Sequence, residues 1–174
     1  MKKTIFISIL LGLLPLTLLH AQSPGEKLAP LQPFLSKTWT GEFKAPDGTL
    51  VANVYRTFEV ADGGQLIRLK KWSDNKPGQA EGYFYWDPVA GKIACFCIEN
   101  NGVFYTAYVS AEGNLITFEG RMTWPEPLNP QAKQSYDFRN TFEFTDDGQM
   151  TDRWYQNAFG PWMPGHVIEF RAKP

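Results

Sequence analysis

The chain has 174 residues, 43% hydrophobic and 20% charged, with 17 basic against 18 acidic groups and a formal net charge of −1. This composition excludes a disordered or fibrous chain, and without a basic excess a nucleic-acid partner is not expected. One domain with a core of its own fits this length, and what exceeds the ordinary is 15% aromatic residues alongside 15 Gly and 13 Pro.

Residues 1–21 open with Lys2 and Lys3, continue in an apolar run from Ile5 to Leu19 and end on small Ala21. That order reads as a secretory signal peptide, with an apolar core too short for the roughly 20 residues of a spanning helix. The expectation is a secreted or periplasmic protein with no stable membrane anchor after cleavage. Removing Lys2 and Lys3 leaves fifteen basic against eighteen acidic groups, a net charge of −3.

Residues 22–36 form a lead. Ser23, Pro24 and Glu26 read as a capped helix start, with Glu26 closing a capping box, and Leu28, Leu31 and Leu35 follow at helical spacing. Pro30 and Pro33 limit it to a turn or two, a short helical plug.

Residues 37–174 read as all-β. Apolar and aromatic runs are separated by turn signals at 46–48, 61–64, 74–78, 87–91, 100–102, 111–114, 125–130, 146–148 and 160–165. These nine breaks predict an antiparallel up-and-down barrel of about ten strands, because the connections are too short for helical crossovers. Closure removes the two edges that an open sheet or a sandwich, the alternative architecture, would expose.

Strand parity predicts what the barrel encloses. Thr117, Glu119 and Arg121 alternate with Ile116, Phe118, Gly120, Met122 and Trp124; Asp137, Arg139 and Glu143 alternate with Tyr136, Phe138, Asn140, Phe142 and Phe144. The charged sets face water, so the ring-rich sets face inward. By the same rule Leu50, Ala52, Val54, Arg56, Phe58 and Val60 point in, as do His166, Ile168 and Phe170. An interior guanidinium needs a counterpart. With no inward acid on the neighbouring strands, a ligand anion or ordered water is expected at Arg56, unless a bulge turns it to solvent or it caps one barrel end. His166, the one histidine after the leader, is either a haem axial ligand or a rim histidine bonded to backbone. Cys95 and Cys97 stand two apart on one strand, about 6.6 Å between Cα atoms, a spacing with parallel Cβ vectors that a disulfide does not bridge. Two free, buried thiols are expected. Lys70 and Lys71 read as ordinary surface, needing no partner.

The run Leu28 to Phe43, with Trp39-Thr40-Gly41 at its centre, resembles the opening of lipocalin-like (calycin) barrels and, more distantly, of nitrobindin-type barrels. The resemblance implies that Trp39 begins the first strand and that Arg171 stacks over it at the barrel floor. In nitrobindin-type barrels a late histidine holds haem, which His166 matches in place. The expected function is binding of a small hydrophobic or amphipathic molecule by Arg56, Phe58, Phe118, Met122, Tyr136, Phe138, Asn140 and His166, in a chain that works as a monomer. The alternatives are haem on His166, a barrel-type isomerase or lyase using Asp152, Glu99 or tyrosines, and a module packed solid by its own rings. Glycine-rich phosphate loops, nucleophile elbows and zinc-helix motifs are absent from the sequence.

Overall fold

A computed structural model describes residues 23–75, 79–126, 129–158 and 160–173. The leader at 1–21, and parts of the turns at 74–78 and 125–130, lie outside the described residues. Ten strands follow the predicted punctuation: β1 (Thr38–Lys44), β2 (Leu50–Ala61), β3 (Leu66–Ser73), β4 (Ala80–Asp87), β5 (Lys92–Glu99), β6 (Phe104–Glu112), β7 (Leu115–Glu126), β8 (Asn129–Phe144), β9 (Gln149–Gln156) and β10 (Met163–Lys173). Each pairs antiparallel with its neighbours in sequence, and β1 pairs with β10 through Trp39 opposite Ala172 and Gly41 opposite Phe170. The sheet is therefore a closed up-and-down barrel and not a sandwich, in which β1 and β10 pair with each other and neither is left as an edge strand.

Period-two alternation does the sorting. Ile116, Phe118, Met122, Phe138 and Phe142 are buried, while Glu119, Arg121, Asp137 and Arg139 face out. Outward neighbours in register pair by charge, Glu119 with Arg139 and Arg121 with Asp137 at 3.4 Å, and Glu143 reaches diagonally to Arg153 at 2.8 Å. Such exposed cross-strand pairs add little stability each but disfavour a slipped register, which would oppose like charges. At Gly120 a Cβ would lie 1.9 Å from the Thr106 carbonyl oxygen, so the approach of β7 to β6 there admits glycine alone.

The lead differs from its prediction. It is a 3-10 helix over Glu26–Phe34, started at Gly25 with no side-chain cap, so neither Ser23 nor Glu26 plays the expected capping role. Its buried residues are Leu28, Leu31 and Phe34, a spacing of three that matches three residues per turn and not 3.6. Gly64, at φ +96°, anchors it: the Gly25 amide donates to the Gly64 carbonyl at 2.8 Å, and a Cβ on Gly64 would stand 2.8 Å from the Ser23 oxygen. The helix closes one end of the barrel. Phe34 enters the core, stacked on Phe58 at 4.4 Å and edge-on to Phe144 and Phe142 at 4.9 and 5.3 Å.

Trp39 is fully buried beneath it, its indole N–H donating to the Phe34 carbonyl at 2.9 Å. Arg171 does not cover it. Arg171 sits opposite Thr40, one residue out of phase with Trp39, and parity sends it to the outer face. The cation over the Trp39 ring is Lys37, at 5.2 Å.

Candidate functional site

The rings of Phe58, Phe118 and Phe142 pack on Phe34 of the plug and, on their other side, line a cavity of about 380 Å³. Its wall is drawn from β1 to β10, since each strand contributes alternate side chains to the interior. Seven of the eight residues expected from parity lie along it: Arg56, Phe58, Phe118, Met122, Phe138, Asn140 and His166. Tyr136 shares their face of β8 but not the cavity; it turns edge-on to Trp124 at 5.1 Å and donates to Gln134. Phe138, Trp154 and His166 form a column of near-parallel faces, with successive centroids 4.6 and 6.0 Å apart.

Arg56 points inward, but its counterpart is not a ligand. Asp152, with no exposed surface, forms an ion pair with it across the interior. The strands flanking β2 offer no inward acid, and the counterpart comes instead from β9, which lies three places round the closed sheet and faces Arg56 through the lumen. On β9, Met150, Asp152 and Trp154 share one parity, an acid set between an apolar and an aromatic residue, which is the signal that would have found it. Asn140 donates to the other Asp152 oxygen and, at 3.0 Å, to the Arg153 carbonyl. The guanidinium carbon lies 4.6 Å from the Phe170 ring centre and 5.5 Å from that of Phe142. Burial pushes the Asp152 carboxyl up, but the Arg56 charge, with His166 and Asn140 adding to it, outweighs burial and holds it well below the usual carboxylate range. Asp152 is thus ionised at neutral pH and unsuited to be a general acid.

His166 stands behind the same carboxylate. Its Nε2 is 3.6 Å from Asp152 Oδ2, an electrostatic contact beyond hydrogen-bond reach, and is sealed from solvent without a hydrogen-bond partner. The ring is held edge-on by Phe43 at 5.9 Å and on one face by Trp154. An iron-ligating nitrogen must face open space, whereas this Nε2 faces an anion through a gap too small for a metal and porphyrin. His166 as placed does not fit an axial ligand through that atom.

A second polar group went unread in the sequence. Lys71 is partly buried and partnered: it shares parity with Ile67 and Leu69, enters the cavity wall, and donates to the Tyr105 hydroxyl and, at 3.3 Å, to Glu99. Burial above all pushes the Tyr105 hydroxyl well above its ordinary value. Cys95 and Cys97 are free thiols in the same wall. Burial, then the neighbouring Cys97, pushes Cys95 up to about 12, so it stays a thiol and not a nucleophilic thiolate. Among the described residues no group of three or more His, Cys, Asp or Glu converges as a metal site.

The arrangement is a pocket of rings with two internally matched charge pairs, dimensioned for a small organic molecule. No protein-family model matches the chain, and no curated protein matches its sequence. Among solved structures the chain is similar to the crystal structure of Rv2717c from M. tuberculosis, at 16% identity and a TM-score of 0.60, over 87% of this chain and 100% of that one. At that identity the likeness is one of fold: the chain is a closed ten-stranded antiparallel barrel of a shape that another protein also adopts.

Proposed function

We propose that the chain is an exported small-molecule binding protein that holds a hydrophobic or amphipathic ligand in the open half of its barrel. One observation carries this reading: the cavity of about 380 Å³ is lined chiefly by rings and a few convergent polar groups, the usual make-up of a ligand site. Export rests on the leader at 1–21 and leaves 37–174 as the working domain. The calycin likeness rests on the Trp39-Thr40-Gly41 opening, with Trp39 buried under a plug. Charges outside and rings inside are the inverse of a membrane-spanning barrel, and a closed sheet without free edges suits a monomer.

Native mass spectrometry of protein purified from its own host tests the proposal. A reproducible added mass of a few hundred daltons is expected; the bare polypeptide mass in every preparation would return the barrel to a packed, ligand-free module.

Haem is the second reading, and the sealed Nε2 of His166 speaks against it. Haemin added to wild type and to His166→Ala should give the same absorption spectrum. A Soret shift present in the wild type and lost in the variant would reinstate haem.

A further inference from the structure

We propose that the cavity selects uncharged ligands, and that the two carboxylates Asp152 and Glu99 impose this by matching each cation the wall presents. The inference rests on the ligand-binding reading above and adds the chemical class of the ligand: a neutral, ring-bearing molecule with a carbonyl or hydroxyl acceptor.

The cavity wall contains two cations, Arg56 and Lys71. Each already has a protein counter-ion, Asp152 behind Arg56 and Glu99 beside Lys71 at 3.3 Å. An anionic ligand reaching Arg56 would bring its charge against Asp152, whose side chain is wholly buried. At Lys71 it would have to displace Glu99 or lie beside it. A cationic ligand meets the guanidinium and ammonium themselves. The remainder of the wall is chiefly rings, with the uncharged Asn140, Gln156 and Tyr105 as its polar groups, a poor substitute for the hydration a charged ligand would lose.

A neutral acceptor meets a different surface. A guanidinium has five N–H donors, and among the described residues Arg56 gives one hydrogen bond, to Asp152. Asn140 spends its amide N–H groups on Asp152 and the Arg153 carbonyl, which turns its own oxygen into the remaining polar handle. A donor group on the Arg56 side and an acceptor oxygen on Asn140 thus stand around one fully buried carboxylate. They suit an uncharged carbonyl or hydroxyl, with the parallel faces of Phe138, Trp154 and His166 beside it for a flat ring.

Two dyes with one skeleton isolate charge from shape: neutral N-phenyl-1-naphthylamine and its sulfonated relative 1-anilinonaphthalene-8-sulfonate. With wild type at pH 7.5, the neutral dye should bind about tenfold or more tightly than the sulfonate, read by fluorescence and by competition between the two. Asp152→Asn and Glu99→Gln should each narrow that ratio by about threefold or more, because each frees a cation. Asp152→Asn unfolding leaves Glu99→Gln to decide, since that side chain is 30% exposed and tolerates exchange. Equal affinity of wild type for the two dyes overturns the inference while leaving a ligand-binding barrel intact; so does a ratio that neither variant moves. Failure of both the neutral dye and 2-acetylnaphthalene, which carries the acceptor carbonyl that the dye lacks, to bind removes the ligand-binding reading itself.

Discussion

Asp152→Ala is expected to destabilise the barrel by about 3–5 kcal/mol, measured by urea unfolding at neutral pH, because it leaves the Arg56 guanidinium buried without a counter-ion. Arg56 has an 11% exposed side chain and is held between the Phe142 and Phe170 rings, so it has little room to reach water. Asn140 would lose the partner of one of its two N–H bonds as well. The pair itself is not a large net gain, since both charges are desolvated. Replacing both members by apolar residues, Asp152→Leu with Arg56→Met, should therefore recover most of the loss and can exceed wild type by about 1–4 kcal/mol. A single-variant loss below about 1 kcal/mol would mean that Arg56 finds water once Asp152 is gone, and that the interior is wetter than its rings suggest.

The same residue sets an acid limb. The Asp152 carboxyl is held below its unfolded value of about 3.9, so the unfolded chain binds its proton first as pH falls. Its contribution is complete above about pH 5 and is lost progressively below about pH 4, toward the lower folded-state value. Wild type should lose stability more steeply in that window than the Asp152→Leu, Arg56→Met protein, in which this titration is absent. Parallel acid limbs for the two proteins would contradict the assigned ion pair.

Phe34→Ala is the second large effect, about 3–5 kcal/mol, and it acts on the plug. Phe34 is fully buried, stacked on Phe58 and edge-on to Phe142 and Phe144, and its carbonyl receives the Trp39 indole N–H. Removing the ring takes away a large buried apolar area and leaves a void at the floor that the barrel, tied at every edge, cannot collapse to fill. Urea unfolding with an unchanged slope and a lower midpoint is the expected signature. A loss under about 1 kcal/mol would show that the 3-10 helix opens without the barrel, so that the floor belongs to a separate, weaker unit.

Strand number, turn positions and the ring-lined interior were legible in the sequence because they depend on local physics. Pro-Asp-Gly and Asp-Asp-Gly punctuate at fixed places, and alternation along Ile116 to Trp124 or Tyr136 to Phe144 fixes a side chain's face without reference to any other strand. Lys71 carried its signal in the sequence, since it follows Ile67 and Leu69 by twos, but a lysine beside a lysine reads as solvated surface. The plug was legible as a segment but not as a 3-10 helix, since Leu28, Leu31 and Phe34 become a set only once the floor of the barrel stands against them.

What the chain determined by itself was a closed antiparallel barrel with rings inside and charges outside. Tertiary structure alone decided which inward residues meet. Parity assigns a face, but height along the barrel axis and the partner across the lumen follow from closure and strand stagger, which no single strand encodes. Arg56 and Asp152 lie 96 positions apart, on strands that share no hydrogen bond. Only the closed sheet brings them together, as it does Lys71 and Glu99 on β3 and β5.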